Sequence, residues 1–391
     1  MQSNYHRRGE TENSIMRKYM IICVVLAICG QVSAQNVVTK IYDKGLELMD
    51  SMAVKGVDRR YIDVPEQPWQ VVMKYNMNQS IVRMNTSGEI AGEPYSADPY
   101  LRTEMSKYVG LWVGYRGHGL GYMKKIGGKK GGYLSFASTG KNYGLNLRIH
   151  TFQNDHPRFD INSNLIPEAN KEDWGQMYLK EPIKVRSFIA DGYYMFNGKH
   201  FSYAAAYKQS FIQKRSAGSL MAGAMYYYGR IDYAANSNAD LIYLMHGLGK
   251  VKLWQGSVGI GYTYNWVPAR GWIVNVMAMP MLTFVNRIKA YNYKTNVEDL
   301  LENPNMFDEN LSNEEWDEWW ENSLSIVRPM GDKTFNGGVT VNFDARVAVS
   351  YNFGRYFVNV FGQFYNNRYS HDGSKGNLND WFLNTSFGVR L

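Results

Sequence analysis

The second half of the chain alternates apolar and polar residues with a period of two, which is the repeat of a β-strand whose faces meet different surroundings. One run extends from Trp254 to Trp266, and a second extends from Trp272 to Phe284, although methionines make its other face less polar. The clearest run extends from Val339 to Phe353. These runs predict long strands of an antiparallel sheet.

The last residues of the chain, Trp381 to Leu391, form another alternating run. Its apolar face consists of Trp381, Leu383, Thr385, Phe387, Val389 and Leu391. A strand of this kind at the end of a chain is expected where the last strand must pair with the first to close a transmembrane barrel. It also resembles the assembly signal that outer-membrane proteins present to the barrel assembly machinery, although that signal most often ends in an aromatic residue.

The polar faces of these strands give the first candidate site residues. In a transmembrane barrel they line the lumen, so we predict that Asn342, Asp344, Arg346 and Arg390 face inward. In a soluble β-sandwich the same residues would face the solvent. Periodicity alone does not distinguish the two folds.

The N-terminus predicts export. Met16-Arg17-Lys18 is a short basic start, Tyr19 to Gly30 is too short an apolar stretch to span a bilayer, and Val32-Ser33-Ala34 has the small residues of a cleavage site. We therefore expect residues 1–34 to be a signal peptide, with a true start at Met16. The signal peptide, the terminal strand and the tryptophans near strand ends (Trp254, Trp266 and Trp272) then favour the outer membrane over a soluble sandwich.

A leader at residues 35–64 precedes the barrel, which we place at 65–391. Its apolar residues follow a loose helical pattern. We expect a short periplasmic helix, and two interpretations remain open: a leader on the surface, or a stopper in the mouth of the barrel.

Composition agrees with an exported barrel. Both cysteines, Cys23 and Cys29, lie in the predicted signal peptide, so disulfides and cysteine-ligated metals are not expected. The chain contains 30 tyrosines and 10 tryptophans, which suit aromatic girdles at the two membrane interfaces. The net charge of +8 comes from scattered basic residues rather than a basic cluster, which argues against nucleic acid. The excess either favours outer-membrane lipids as partners or merely solvates the loops.

The first half of the chain sets the strand number. We predict strands near 69–79, 108–116, 118–126, 184–196, 199–213 and 219–231. The stretch 131–152 holds one strand or two. One strand gives a barrel of about 12 strands, whereas two, with a weak strand near 173–180, give about 14.

Short and long connections alternate along the chain. The short connections are Asn197-Gly198, 214–218, 267–271 and 354–355, and the long ones are 80–107, 233–249, 289–334 and 370–380. If both termini are periplasmic, the long connections lie outside the cell and most of the short ones lie inside.

The connection 289–334 contains an unusual acidic segment. From Glu298 to Glu321 it has ten acidic residues and no basic one, and Ser312 with Glu315 forms a capping box. Trp316, Trp319 and Trp320 fall on one face of the predicted helix. Two interpretations remain open: an external loop helix that recognises a surface partner, a glycan or calcium, or a loop helix that folds these tryptophans onto the barrel rim and leaves its acidic residues in water.

Evidence for catalysis is weak. The segment Ser370-His371-Asp372-Gly373-Ser374 holds a serine and a histidine, but it lies in a predicted loop without a companion motif. The histidines have no spacing that suits a metal, and the glycine-rich segment 127–132 lacks the Ser or Thr of a phosphate-binding loop. We predict no catalytic residue, no metal and no cofactor.

Three groups of residues are shared with a known family. They are Asp58 to Ile62, the paired segments Asn197 to Ala206 and Gln213 to Ser219, and Gly261 to Val267. With them the chain resembles an uncharacterised family of outer-membrane barrels from the Bacteroidetes, which are Gram-negative, known as domain of unknown function 4421. The resemblance implies a barrel and a location, and it supplies no functional residue.

Together these observations predict an outer-membrane β-barrel that is a small pore or a structural barrel that presents its loops. A surface binding module acting through residues 295–330 is the first alternative. A lipid- or envelope-modifying enzyme is the second.

Overall fold

The computed structural model describes residues 55–90, 93–127, 131–154, 158–163, 176–178, 182–233, 248–295, 326–371 and 374–391, with Lys44, Glu47, Ser51 and Ser312. The chain divides into two units, residues 1–55 and 56–391. In the first unit Lys44, Glu47 and Ser51 have helical backbone. The predicted signal peptide lies outside the described residues.

In the second unit, the described residues form a closed antiparallel barrel of twelve strands. The strands are β1 (Trp69–Ile90), β2 (Ser106–Tyr115), β3 (His118–Ile126), β4 (Gly132–Thr139), β5 (Tyr143–Asn154), β6 (Ile183–Met195), β7 (Ala217–Asp232), β8 (Leu248–Trp266), β9 (Trp272–Thr295), β10 (Thr340–Phe353), β11 (Tyr356–His371) and β12 (Ser374–Arg390). Each strand pairs with the next, and β12 pairs with β1 from Lys375 opposite Asn85 to Arg390 opposite Gln70. The predicted closure through the last strand is therefore confirmed.

The predicted count of 12 is right and the alternative of 14 is wrong, but two of the predicted strands differ. The stretch 131–152 forms two strands, β4 and β5. The predicted strand at 199–213 is not part of the wall, and Asn197-Gly198 does not join two strands. The residues Gln176–Tyr178 form a short strand, but it pairs with Arg158–Ser163 outside the barrel.

Several strands extend well beyond the rim that lies away from the termini. There Glu93–Arg102 pairs with the end of β1, and Ile326–Asn336 pairs with the end of β9. The connections predicted at 80–107 and 289–334 are therefore largely strand where they are described. Most of the connection predicted at 370–380 is strand, because β11 and β12 stay paired up to His371 opposite Ser374.

The barrel is apolar outside and polar inside. Outward residues such as Leu220, Ile260 and Val341 are 59%, 70% and 57% exposed, whereas inward Asn265 and Asp344 are fully buried. This arrangement is that of a transmembrane barrel and the reverse of a soluble sandwich. Among the described residues, no helix is long and apolar enough to cross a membrane.

Aromatic residues mark both edges of the apolar wall. We call the rim at Trp69 and Leu391, where the barrel wall begins and ends, the terminal rim, and the opposite one the long-connection rim. Trp272 packs on Tyr351 near the terminal rim, with 4.7 Å between ring centroids, and Trp254 packs on Tyr228 near the long-connection rim at 5.5 Å. Trp254 and Trp266 point outward from the same strand about 40 Å apart, at about 3.3 Å per residue. With the usual tilt of about 40° this spans about 30 Å, the thickness of a hydrocarbon core.

Candidate functional site: the luminal plug

The connection between β6 and β7, residues 196–216, folds into the barrel, and we call it the plug segment. It contains helix α1 (Tyr203–Tyr207). Its inward residues are at most 4% exposed, namely Phe201, Ser202, Tyr203, Ala204, Ala205, Ala206, Tyr207 and Phe211. Residues that the alternation pattern assigned to a strand of the wall therefore fill the lumen.

Local chemistry explains why this segment is helical. Ser202 caps α1, since its hydroxyl oxygen accepts a hydrogen bond from the Ala205 amide at 3.1 Å. Alanine has the highest helix propensity of all residues, and it occupies three consecutive positions of α1. Tyr203 and Tyr207 lie one turn apart with ring centroids 4.7 Å from each other, so both rings pack on the same side.

Carbonyl groups at the end of α1 receive hydrogen bonds from the barrel wall. The Ala206 carbonyl accepts from Asn359 Nδ2 at 2.9 Å. The Gln209 carbonyl accepts from Gln70 Nε2 at 2.8 Å and from Arg390 Nη2 at 2.8 Å. Gln209 has a positive φ of 54°, a strained conformation that these contacts hold in place.

The two tyrosine hydroxyls of α1 reach other strands. Tyr207 donates to Asn275 Oδ1, and Tyr203 accepts from Asn146 Nδ2 at 3.1 Å and from Arg346 Nη1 at 2.8 Å. Asn265 Nδ2 donates to the Ser202 carbonyl at 3.0 Å. Together with the carbonyl contacts, side chains from seven strands, β1, β5, β8, β9, β10, β11 and β12, hold the plug segment.

A buried network of four charges lies beside the plug. Arg346 is within 3.3 Å of Asp191 and 3.2 Å of Asp344, and Arg148 is within 2.7 Å of Asp191. The Tyr193 hydroxyl donates to Asp344 Oδ2 at 2.6 Å. Because two guanidinium groups face two carboxylates, the network is neutral, and it joins three strands, β5, β6 and β10, to the plug segment.

Little free space remains beside the network. The internal cavity lined by Lys74, Arg148, Tyr203, Lys208 and Arg346, among others, has a volume of about 40 Å³. A cavity of this size holds a water molecule or two. Towards the long-connection rim the inward aromatic residues Tyr108, Tyr133, Phe152 and Phe382 form a further cluster with Met123. Buried side chains thus occupy the lumen both at the plug and nearer the long-connection rim.

Residues just before the barrel close over the plug from the terminal rim. Ile62 and Asp63 pair with Gln213 and Ile212 as a two-residue antiparallel ladder. The Asp58 amide donates to the Lys199 carbonyl at 3.1 Å. We call residues 58–63 the clasp. The segments Asp58 to Ile62 and 197–219, which are far apart in the sequence, therefore meet in space.

Ion pairing orders the turn of the clasp. Arg60 Nη2 donates to Asp58 Oδ2 at 2.8 Å, and the Arg60 amide donates to Asp58 Oδ1 at 2.9 Å. These hydrogen bonds hold the pKa of the Asp58 carboxyl well below its ordinary value. The Tyr61 ring packs on His200 of the plug segment with 4.5 Å between ring centroids.

The structure places all four predicted inward residues on the buried inner face. Asp344 and Arg346 belong to the charge network, and Arg390 binds the plug. Asn342 lies nearer the long-connection rim, where its Oδ1 accepts from the Arg368 amide at 2.9 Å. Trp316, Trp319 and Trp320 lie outside the described residues.

Sequence reasoning missed the partners Arg148 and Asp191. Asp191 lies in the alternating run of β6 with Ile189 and Tyr193, so its inward orientation was readable. Its pairing with Arg148 and Arg346 could not be read from the sequence, because both partners lie on other strands.

The described residues of the segment considered for catalysis belong to the paired ends of β11 and β12. Ser370 lies opposite Lys375, and His371 lies opposite Ser374 across the β11–β12 ladder. Among the described residues, no group of three His, Cys, Asp or Glu residues is placed to hold a metal ion. The inward His150 instead contacts the Tyr108 hydroxyl at 2.6 Å.

The chain matches one family model and is similar to several solved structures. The family model described as "Domain of unknown function (DUF4421)" matches residues 56–390. Among curated proteins, none matches the chain. Similar solved structures include the outer membrane protease OmpT from Escherichia coli, with 8% identity, a TM-score of 0.39 and coverage of 84% of this chain and 98% of that one.

Two autotransporter barrels are also similar. The β-domain of Bordetella BrkA has 12% identity and a TM-score of 0.30, and covers 83% of this chain and 100% of its own. The translocator domain of NalP from Neisseria meningitidis has 7% identity and a TM-score of 0.28, and covers 92% of this chain and 98% of its own. At these identities the likeness concerns the fold alone.

Proposed function

The chain belongs to the DUF4421 family, and we propose that it is an outer-membrane barrel that is closed to diffusion and serves as a scaffold for the structures at its long-connection rim. The observation that carries this proposal is the plug segment, whose residues Phe201–Tyr207 are buried and which is hydrogen-bonded to side chains of seven strands.

Energetics favour a closed lumen. Each buried neutral hydrogen bond contributes about 1 kcal/mol, and each bond to a charged group contributes about 1.5–3 kcal/mol. Withdrawing the plug would break several such bonds at once and would expose the aromatic rings of Tyr203 and Tyr207. A plug held in this way is a built part of the barrel rather than a loop that fluctuates in and out of it.

The proposed orientation rests on the two rims. The terminal rim carries mostly tight turns, such as 116–117 and 354–355, besides the plug segment, whereas the other rim carries the extended strands and the connections 155–182, 234–247 and 296–325. Barrels of the outer membrane have short periplasmic turns and longer external ones. We therefore assign the termini and the clasp to the periplasm.

Single-channel recording in a planar bilayer tests the closure. The refolded mature protein is expected to be silent. A variant in which residues 199–213 are replaced by a short Gly-Ser linker is expected to show steady openings, because the linker lacks the side chains that fill the lumen. In case that variant does not fold, Tyr203→Ala with Tyr207→Ala keeps the backbone of the plug and is expected to give brief openings.

A variant shortened within residues 296–325 is the matched control, because it removes a connection at the opposite rim and leaves the plug intact. It is expected to stay silent. Steady openings of the unmodified protein, or openings of the control that equal those of the plug variants, would refute the closed barrel.

A further inference from the structure

Four basic residues form a continuous row across neighbouring strands near the long-connection rim. Arg186 of β6 lies directly opposite Arg230 of β7, Arg230 lies opposite Lys252 of β8, and Lys252 lies opposite Lys289 of β9. Directly opposed residues in an antiparallel sheet are about 5 Å apart. We call these four residues the basic row.

The basic row points out of the barrel. Arg186 and Arg230 share the outward face with Phe188 and Tyr226, whereas the alternate residues of β6 and β7, such as Asp191 and Tyr227, are buried. β9 has a bulge between Thr283, opposite Ser257, and Val285, opposite Gly256. Before the bulge the even-numbered residues of β9 face outward, and after it the odd-numbered residues do. The switch brings Lys289, rather than Ile288, to the outer surface.

The row lies immediately above the aromatic edge of the apolar wall. Lys252 is two residues beyond Trp254 on β8, and Arg230 is two residues beyond Tyr228 on β7. Since Trp254 and Trp266 bound a wall of about hydrocarbon thickness, the next outward residues lie about 5 Å farther from the midplane, at the level of lipid headgroups.

Charges at this level are unbalanced. Lys184, Lys250 and Arg287 also occupy outward positions beside the row. Among the described residues, the acidic partners are Asp232, 3.3 Å from Arg230, and Asp332, 2.9 Å from Lys289. Arg186 and Lys252 have no acidic partner within the described chain. Like charges in directly opposed positions destabilise a sheet, so this surface favours a bound anion.

We propose that the basic row is a binding site for the phosphate groups of lipid headgroups in the leaflet at the long-connection rim. The row is continuous with the lipid-facing wall, so a lipid whose chains pack on that wall brings its phosphate to this level. Arginine and lysine are the usual ligands of phosphate groups. The inference rests on the membrane placement proposed above, but not on the closure of the lumen.

The far side of the barrel has a different surface. There, Arg83 and Arg368 lie on either side of Asn377 in one cross-strand row, beside a surface cavity of about 590 Å³. Lys375 occupies the next outward level, between Asn85 and Ser370. Basic residues here are separated by neutral ones, so we assign the strongest phosphate site to the β6–β9 side.

Spin-label electron paramagnetic resonance tests the proposal. The mature protein is reconstituted in phosphatidylcholine bilayers that contain trace amounts of spin-labelled phosphatidic acid or phosphatidylcholine. The fraction of motionally restricted label gives the relative association of each lipid with the barrel. We expect phosphatidic acid to be preferred about fivefold, the factor expected for one additional contact between a basic residue and an anionic surface.

The test variant is Arg186→Gln with Lys252→Gln, which leaves the two ion pairs of the row intact. The preference for phosphatidic acid is expected to fall to twofold or less. The control, Arg270→Gln with Arg355→Gln, removes the same charge from exposed turns at the terminal rim and is expected to keep the preference. The shift in gel mobility between unheated and heated samples confirms that both variants are folded.

Three results would overturn the proposal. One is equal association of the two lipids with the unmodified protein, and another is an unchanged preference in the test variant. The third is loss of the preference on adding inorganic phosphate but not sodium chloride of equal ionic strength, which would identify a site for free phosphate. Conductance is measured separately. A barrel that conducts ions but still prefers phosphatidic acid would refute the closed lumen and leave the proposed phosphate site standing.

Discussion

Replacing Arg346 is the most direct way to test how the lumen is held together. Arg346 is 4% exposed, lies within 3.3 Å of both Asp191 and Asp344, and donates to the Tyr203 hydroxyl of the plug at 2.8 Å. Arg346→Met removes the guanidinium and keeps an apolar side chain of similar length. Asp191 then retains Arg148, but Asp344 loses its cation within the network.

The expected cost follows from the carboxylate that is left behind. Breaking a buried ion pair by removing one partner costs about 3–5 kcal/mol, because the remaining charge is buried without compensation. Asp344→Asn is expected to have a comparable cost, because it leaves an excess of positive charge in which Arg148 and Arg346 share the single carboxylate of Asp191. In the double variant the Arg148–Asp191 pair remains balanced, so we expect its loss to be smaller than the sum of the single losses by at least about 2 kcal/mol.

Reversible urea unfolding in phospholipid vesicles, followed by tryptophan fluorescence, measures these free energies. Arg355→Gln, which alters an exposed turn at the terminal rim, is the control and is expected to change the free energy of unfolding by less than about 0.5 kcal/mol. Strictly additive losses in the double variant would refute the reasoning. So would a loss below about 1 kcal/mol for Arg346→Met, because the four charges would then not form one coupled network.

Three further predictions concern the plug and its clasp. Tyr207→Phe leaves Asn275 Oδ1 without its donor and is expected to lower the free energy of unfolding by about 1 kcal/mol in the same urea assay; an unchanged midpoint would contradict this. Arg390→Gln removes charged hydrogen bonds to the Gln209 carbonyl and is expected to cost about 1.5–3 kcal/mol and to speed amide exchange in the plug segment, whereas equal exchange rates would count against the contact. Because the pKa of Asp58 is lowered, its contribution to the clasp is complete above its ordinary value of 3.8 and is lost only as the pH falls through the lower folded value. Protection of the Tyr61 and Ile62 amides against exchange should therefore stay constant from pH 7 to about 4, and Asp58→Asn should reduce it throughout; equal protection in Asp58→Asn and the unmodified protein would count against the contact.

Strand alternation was enough to predict the last strands of the barrel wall. In β10 and β12 a single repeat places one face in lipid and the other in the lumen, so the inward orientation of Asp344, Arg346 and Arg390 follows from counting residues. The strand number was predicted for a partly wrong reason, because the two strands within 131–152 offset the loss of the strand at 199–213.

The plug escaped sequence reasoning for a physical reason. Phe201, Tyr203, Ala205 and Tyr207 are spaced by two, as in a strand, but the run of alanines and the Ser202 cap favour a short helix once the lumen surrounds it. A barrel interior is itself a polar and aromatic environment, so a segment that enters it needs the mixed composition of a wall strand. Local pattern therefore does not separate the wall from its contents.

The pairing of charges inside the lumen was equally hidden. Arg148, Asp191 and Arg346 lie on three strands, and their approach depends on how the barrel closes. The contact between the clasp and the plug segment was hidden for the same reason, since Asp58 and Lys199 are brought together only by the complete ring of strands.

The Gln209 carbonyl has a consequence for how the protein is assembled. It accepts hydrogen bonds from Gln70 on the first strand and from Arg390 on the last, which lie opposite each other where the barrel closes. A slip of two residues would carry Arg390 about 7 Å along the strand, and a slip of one would turn it towards lipid. The plug therefore favours one register between the first and last strands. If β1 and β12 pair in the wrong register, this carbonyl loses its hydrogen-bond donors. If the plug is already in place, its carbonyl offers both strands a common acceptor at the correct register.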